Sequence, residues 1–508
     1  MKCYLHLTTA CLLFMALATT AARAEITYSD VPGDLSSAVI KMTVTPAAEP
    51  VPAFAHRFVS QDIDLKPGNA APYYYRALLD LPGRTEAARK KYNQNEEMDN
   101  WYRTDGEATP LGKLPLEKVR DAVESTIGGG VGDQLKEASQ RRDCDFELGI
   151  SEVRGVELIY ILLEEFQRSR ELCRMFALRT RLEIAEHRYD DAISTMRMNY
   201  RLARDFGSLP FIVSGLIGIA EAGITNGTAL ELIAQPDSPN LYWAFSELPD
   251  PLINMRNAIR FEMDFGPRMF PFIHNAATTD RSIDEWNRLF ARTFIDLQKA
   301  GADLSLGYGP SFESDDVPAG FVATGLALLG YPHAKSQLIA QGMDPKKVEQ
   351  MAVGQVMAIY TERHYQRLAD DFEKLWYMPY QESRARNEEI EREVTGANLL
   401  SGTANREVVP MVSLMMPAMQ AARSADVRLQ RELASLRVIE ALRMYAASHD
   451  GKLPQALDDI KQVPVPLNPA TGKEFLYHLD GIKAILELPA SDGILGGNRR
   501  FEIQIAKQ

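Results

Sequence analysis

The sequence contains little cysteine. Four cysteines occur among 508 residues, and two of them, Cys3 and Cys11, lie in an apolar N-terminal stretch. So few thiols exclude a fold held together by many disulfides. Two interpretations stay open for the other pair, Cys144 and Cys173: a disulfide formed in an oxidising compartment, which would stabilise the fold by about 3 to 4 kcal/mol, or two buried free thiols.

Positive charge is also scarce. The chain has 56 Lys and Arg against 69 Asp and Glu, a formal net charge of -13. A basic surface for nucleic acid is therefore not expected. The composition, 45% hydrophobic and 25% charged, is that of a globular protein long enough for two or three domains.

Long apolar runs are missing after the N-terminus. The most apolar internal stretch, "FIVSGLIGIAEAGI", is shorter than the ~20 residues that a membrane span needs, and Glu221 interrupts it. We therefore expect no transmembrane span in the mature chain.

The N-terminus has the order of a secretory signal peptide. Lys2 precedes an apolar run from about Leu7 to Ala18, and Ala22-Arg23-Ala24 supplies the small residues of a cleavage site. Cleavage after Ala24 would leave an exported, periplasmic or extracellular chain with a net charge of -15, since Lys2 and Arg23 are lost. The alternatives are a lipoprotein signal that uses Cys11 and an uncleaved signal anchor.

Signatures of catalysis are missing as well. The chain has no Gly-x-Ser-x-Gly, and its eight histidines show no His-Glu-x-x-His spacing. The glycine cluster "IGGGVGD" lacks the Lys-Ser/Thr of a phosphate loop and predicts a flexible turn. Asp143 with Asp145 and Asp315 with Asp316 are interpreted as solvated loop carboxylates. We therefore predict no catalytic residue, no cofactor site and no metal site.

One stretch resembles the catalytic-loop and Asp-Phe-Gly motifs of a protein kinase. "HRYDDAISTMRMN" begins at His187, and Asp205-Phe206-Gly207 follows at a plausible distance. A catalytic loop must be irregular, whereas helical periodicity continues from Ala192 to Ala203. We therefore predict a helix that ends at Gly207.

Three regions follow the signal peptide. Residues 25–70 are rich in Pro, Ala and Thr and predict an extended arm or linker, residues 71–400 predict an α-helical domain, and residues 408–508 predict an α+β module. Apolar residues at steps of three and four mark consecutive helices joined by short turns. The two clearest stripes are Leu172, Met175, Leu178, Leu182 and Ala185, and then Ala192, Met196, Tyr200 and Ala203.

The turn between these two stripes, "RYDDAI", resembles the inner turn of a tetratricopeptide repeat. Tyr189 and Ala192 stand at its aromatic and small positions. No second copy occurs at a period of 34 residues, so the resemblance implies a helical hairpin of that style and no repeat array.

The last hundred residues change to a period of two. After a helix from Arg428 to about Tyr445, "EFLYHL" and "IKAILEL" flank Asp480-Gly481, a strong hairpin signal. We expect Ile482, Ala484, Leu486 and Leu488 to point inward. With "RFEIQIA" as the last strand, the pattern predicts a three-stranded antiparallel sheet covered by the helix.

The stretches "LRMYAASHDGKLPQAL" and "PLNPATGKEFLYHLDG", with "LMMPAMQAAR" upstream, resemble the globular part of type II secretion pseudopilins and type IV pilin-like proteins. This resemblance covers about 100 residues and implies the module's fold. The signal peptide with "AAPYYYRAL" and "RRDCDFELG" is also similar to large uncharacterised exported proteins of planctomycete-type bacteria, a group that implies compartment and architecture only.

The leading expectation is an exported, non-enzymatic helical scaffold or protein-interaction protein of the cell envelope, with protein partners. One alternative is an envelope hydrolase whose site is assembled from distant Asp, Glu and His residues. Another is a pseudopilin-like component of a secretion system. The sequence predicts neither a specific partner nor an oligomeric state.

Overall fold

The chain folds mainly into helices, as the apolar periodicity predicts. The computed structural model describes residues 26–31, 34–81, 96–150, 168–269, 273–292, 319–395, 411–489 and 498–506. The predicted signal peptide with its cleavage site at Ala24 lies outside these residues. The labelled helices are α1 (Ala71–Asp80), α2 (Glu96–Tyr102), α3 (Leu116–Ile127), α4 (Gly129–Ser139), α5 (Ser169–Ala185), α6 (Tyr189–Gly207), α7 (Ile212–Ile233), α8 (Tyr242–Ser246), α9 (Arg256–Met269), α10 (Ala319–Ala340), α11 (Pro345–Gln350), α12 (Val353–Leu375), α13 (Tyr380–Thr395) and α14 (Met411–Ser448). Residues 283–292 are helical as well.

Strands come from both ends of the described chain. A five-stranded sheet has the order β1-β2-β7-β6-β5, and β3 pairs with β4 in a second, two-stranded sheet. The strands are β1 (Ile26–Val31), β2 (Asp34–Val44), β3 (Lys66–Asn69), β4 (Arg141–Asp143), β5 (Leu476–Asp480), β6 (Lys483–Leu488) and β7 (Asn498–Ile505).

The helical hairpin lies where the two stripes predict it. α5 and α6 pack against each other, and His187 takes a positive φ of 57° in the turn between them. The residues of both stripes are buried, except Ala185, which is half-buried. Asp205-Phe206-Gly207 forms the last turn of α6, so the helical interpretation of this stretch is confirmed. The similarity to a tetratricopeptide repeat stays a prediction.

Helix α7 is longer than its most apolar stretch indicates. It continues to Ile233 and is the one helix among the described residues that is long and apolar enough to cross a membrane. Most of this helix is buried: 72% of its most apolar 18-residue stretch lies inside the fold. Glu221 is fully buried there, and its carboxyl accepts a hydrogen bond of 2.6 Å from the Ser169 hydroxyl. Burial raises the pKa of Glu221 to about 8, so this side chain is mostly neutral at pH 7.

The main sheet is mixed and five-stranded, and the prediction of a three-stranded antiparallel sheet was wrong. β5, β6 and β7 pair antiparallel as predicted, but β2 adds to the free edge of β7 in parallel orientation, and β1 pairs antiparallel with β2. The segment that was expected to be an extended arm, residues 25–70, therefore contributes two strands to this sheet and also contains β3 of the second sheet. The sequence did not predict the pairing of β2 with β7, because two parallel strands far apart in the chain are not joined by a turn with a local signal.

Apolar side chains explain why β2 belongs to this sheet. Ile40 lies opposite Phe501, and Met42 opposite Ile503, with all four side chains at most 3% exposed. They form one hydrophobic cluster with Ala484, Leu486 and Leu488 of β6, which were expected to point inward. Ile482, expected on the same face, is instead 64% exposed, because it lies in the turn that joins β5 to β6.

The main hydrophobic cluster continues from the sheet into the helices. It contains Ile439 and Leu442 of α14 and Ile233 of α7 together with Leu486 and Phe501 of the sheet. Residues of the predicted helical domain and of the predicted C-terminal module thus share one core. Burial of each such side chain contributes about 2 kcal/mol of hydrophobic free energy.

A buried arginine holds the segment that follows β2. The guanidinium of Arg443, on α14, pairs with Glu440 at 3.0 Å, and both side chains are fully buried. The same guanidinium donates to the carbonyl oxygens of Thr45 at 2.9 Å and Ser238 at 2.8 Å. A buried ion pair needs such additional hydrogen bonds to offset the loss of hydration. Arg443 therefore joins α14, residue 45 and the loop after α7 at one point.

Replacement of Ile40 by Ala tests whether β2 is part of the core. We expect Ile40→Ala to lower the free energy of unfolding by about 2 to 4 kcal/mol, because it leaves a cavity opposite Phe501. Lys41→Ala, on the exposed face of the same strand, is the control and should change it by no more than about 0.5 kcal/mol. Urea unfolding followed by circular dichroism measures both. Equal, small effects would contradict the placement of β2.

Candidate functional site

A polar groove runs between α4, α6 and residues 57–64, and is called here the α4–α6 groove. It encloses about 560 Å³, within the range of about 300 to 1,000 Å³ that ligand sites occupy. Ligand sites for drug-like molecules are mostly apolar, whereas this groove is lined mainly by charged and polar side chains. Its lining consists of Arg57, Val59, Ser60, Gln61, Asp64, Ile127, Gly128, Gly129, Gly132, Asp133, Lys136, Ser139, Gln140, Arg179, Asp191, Ser194, Thr195, Arg197 and Met198.

Helix α4 lines the groove over its whole length. Its lining residues recur at steps of three and four, from Gly129 through Asp133 and Lys136, and they continue to Gln140 just beyond the helix. That spacing is one face of an α-helix. Val131 and Leu135 lie on the other side and are buried in a second hydrophobic cluster with α1. The groove face is therefore the solvent face of an anchored helix.

Glycines allow α3 and α4 to meet at a sharp corner. A Cβ atom on Gly132 would lie 2.4 Å from the carbonyl oxygen of Ile127, closer than real Cβ contacts permit. Gly129 has a positive φ of 54°, a conformation that glycine adopts without strain. The glycine cluster was expected to be a flexible turn, but in the structure it is one non-helical residue, Gly128, followed by the first turn of α4.

The wall formed by residues 57–64 is held by one carboxylate. Glu247 accepts hydrogen bonds from the backbone N–H groups of Phe58, at 2.8 Å, and Val59, at 3.2 Å. It also pairs with Arg57 at 2.7 Å. Phe58 is 2% exposed and its ring packs against the rings of Tyr200 and Phe245. The wall is thus fixed before any ligand arrives.

Below the groove, a polar contact joins the two helices of the hairpin. The hydroxyl of Thr195, on α6, donates to the carboxylate of Glu183, on α5, at 2.7 Å, and Arg179 pairs with the same carboxylate at 2.8 Å. Burial raises the pKa of Glu183, although the charge of Arg179 opposes this. This contact fixes the spacing of α5 and α6 under the groove.

Seven charged side chains line the groove, and three of them have ion-pair partners outside it. Arg57 pairs with Glu247, Arg179 with Glu183, and Asp191 with Arg188. Among the residues that the structure describes, the other four have no ion-pair partner: two cations, Lys136 and Arg197, and two carboxylates, Asp64 and Asp133. These four charges remain for a ligand.

The two cysteines lie outside the groove, in the second hydrophobic cluster. Both are free thiols: Cys173 is buried, and Cys144 is half-buried. Burial raises the pKa of each thiol well above its ordinary value, so little reactive thiolate forms at neutral pH. A disulfide between them stays a prediction from the sequence.

The other residues singled out in the sequence do not converge. Asp205 pairs with Arg201 at 2.8 Å and accepts from the Tyr74 hydroxyl, so it has a structural role. Asp145 accepts from the backbone N–H of Glu147 in a loop, and Asp315 and Asp316 lie outside the described residues. No group of three His, Cys, Asp or Glu within the described ranges could hold a metal ion.

Comparison of the chain with protein-family models, with curated proteins and with solved structures finds no match. The groove itself was not predicted. Its lining comes from three stretches that lie far apart in the sequence, and no single stretch carries a motif. A usable signal was present in the glycine cluster, since glycines that begin a helix indicate a close backbone contact as well as a turn.

Two glycines of α4 provide a matched test of the corner. Gly132→Ala should lower the free energy of unfolding by about 1 to 3 kcal/mol, because its Cβ would press on the Ile127 carbonyl. Gly130 has open space around its Cβ position, so Gly130→Ala should be neutral or stabilise by up to about 1 kcal/mol. Thermal and urea unfolding of both variants measure this. Equal effects of the two substitutions would show that α3 and α4 do not meet as described.

Proposed function

We propose that this protein is an exported, non-enzymatic binding protein of the cell envelope that holds a segment of a partner polypeptide in the α4–α6 groove. The observation that carries the proposal is the groove itself, an open polar channel on a helical hairpin. Five of its charged or amide side chains, those of Gln61, Asp64, Asp133, Lys136 and Asp191, are exposed and accessible to a partner. Export rests on the N-terminal sequence and is part of the proposal.

The rigidity of the groove supports a binding role. Glu247 fixes the wall through two backbone N–H groups, and the contact between Thr195 and Glu183 fixes the floor. A preformed site loses less conformational entropy when it binds than a mobile one, so it reaches a given affinity with fewer contacts. None of the lining residues is a histidine or a cysteine.

Selection from a random peptide library tests this function. The bait is the full chain, and the comparison variant is Ser194→Trp, which places a large ring in the groove from a half-buried lining position on α6. The control is Ser336→Trp, an exposed serine on α10. We expect selected peptides to bind the parent chain and Ser336→Trp alike, and to lose about tenfold or more in affinity for Ser194→Trp.

Two results would overturn the proposal. One is a library that yields no peptide above background. The other is a set of peptides that bind Ser194→Trp as tightly as the parent chain, since these would occupy another surface.

The two alternatives from the sequence remain proposals. The pseudopilin-like role is favoured by one feature, the order of α14, β5, β6 and β7, which follows the pilin-like arrangement of a helix before a hairpin and a third strand. It predicts co-assembly with secretion proteins. The hydrolase role predicts turnover of a model substrate, and no observation on the described residues favours it.

A further inference from the structure

We propose that the ligand of the α4–α6 groove is an extended peptide of about five residues that carries one acidic and one basic side chain two positions apart. This inference rests on the proposed function and names the chemistry of its ligand. It depends on two properties of the described residues: the length of the groove and the arrangement of its unpaired charges.

The length of the groove follows from α4. An 11-residue helix is about 16 Å long, and its groove face extends over that whole length. An extended chain advances about 3.3 Å per residue, so about five residues span the same distance. A single small anion would occupy only one end of such a channel, whereas an extended peptide follows it throughout.

The unpaired charges give the ligand its pattern. Asp133 and Lys136 lie on the same face of α4 and are separated by three positions, a rise of about 4.5 Å. Neighbouring side chains of an extended peptide are about 3.3 Å apart along the chain, and those on the same side are about 6.7 Å apart. Neighbouring side chains point to opposite sides, so opposite charges two positions apart in the ligand match these two groups, which long side chains can reach across the difference of about 2 Å.

A ligand of a single charge sign fits less well. Arg197 adds a second unpaired cation from α6, and Asp64 adds a second unpaired carboxylate from the wall. A purely acidic peptide would satisfy Lys136 and Arg197 but would meet repulsion from the two unpaired aspartates, Asp64 and Asp133. A purely basic peptide would pair with these two aspartates but would be repelled by Lys136 and Arg197. Like-charge contacts discriminate against wrong partners, so the two signs together select a mixed sequence.

Four fluorescein-labelled pentapeptides test this pattern by fluorescence polarisation. Their central three residues are Lys-Ala-Glu, Lys-Ala-Lys, Glu-Ala-Glu and Gln-Ala-Gln, between terminal glycines. We expect the parent chain to bind the mixed peptide about fivefold more tightly than each of the others. The preference should largely disappear at about 1 M salt, where the screening length is only about 3 Å.

Charge reversal in the groove makes the test specific. Lys136→Glu should move the preference to Lys-Ala-Lys, and Asp133→Lys should move it to Glu-Ala-Glu. Both side chains are exposed, so the variants should fold as the parent does, which circular dichroism checks. Lys347→Glu, on an exposed turn of α11 outside the groove, is the control and should leave the order unchanged.

The outcomes separate this inference from the proposed function. If library peptides bind in the groove but show no mixed charge, or if Lys136→Glu and Asp133→Lys leave the order of the four pentapeptides unchanged, the ligand chemistry is wrong and the binding role stands. If no library peptide is sensitive to Ser194→Trp, the groove is not a peptide site and both proposals fail.

Discussion

The parallel pairing of β2 with β7 is the interaction on which the rest of the structure depends. Each residue of β2 from Ser37 to Val44 lies opposite a residue 461 positions later in the chain. The pairing closes the open edge of the C-terminal strands and buries Ile40 and Met42 against Phe501 and Ile503. Because contacts this far apart in sequence carry a large entropic cost of loop closure, they need a substantial apolar surface to offset it.

The course of the chain after β2 connects this sheet to the groove. Arg443 holds the chain at residue 45 by donating to its carbonyl oxygen, and Glu247 holds it at residues 58 and 59 by accepting from their backbone N–H groups. The same stretch then forms the wall of the α4–α6 groove and enters β3, which pairs with β4 just after α4. A segment that contains few helical residues thereby positions one side of a site whose other sides are helices. The site exists only where these separate stretches are brought together.

Local patterns predicted the helical part of this structure well. The stripes of α5 and α6 are buried as their spacing indicates, and Gly207 ends α6, because side chains three or four positions apart share a helix face in any context. The same reasoning found β5, β6 and β7, although in β6 the consecutive residues Ala484, Ile485 and Leu486 are all buried. The alternation of Ile40, Met42 and Val44 was equally present, but the proline and alanine around it favoured an arm.

What the sequence could not predict depends on distant partners. In the sequence, Arg443 and Glu440 look like a solvated helix face, and only the fold shows that the carbonyl oxygens of residues 45 and 238 accept hydrogen bonds from Arg443. The parallel partner of β7 and the three-part lining of the groove have the same origin, since neither is encoded within one window of the sequence. The glycine corner between α3 and α4 could be predicted only in part. Its glycines are adjacent in the sequence, but the close contact of Gly132 with Ile127 is visible only in three dimensions.

A cross-link across the β2–β7 pair tests the central claim most directly. Lys41 lies opposite Glu502, so a Lys41→Cys, Glu502→Cys chain should form a disulfide on mild oxidation, seen as a compact band on a non-reducing gel and as a mass loss of two hydrogens. Lys41→Cys with Gln504→Cys is two positions out of register, beyond the roughly 7 Å reach of a disulfide, and should stay reduced. The parent chain shows the background from Cys144 and Cys173. The structure predicts rapid closure of the matched pair alone; a matched pair that stays reduced in the folded protein would contradict it.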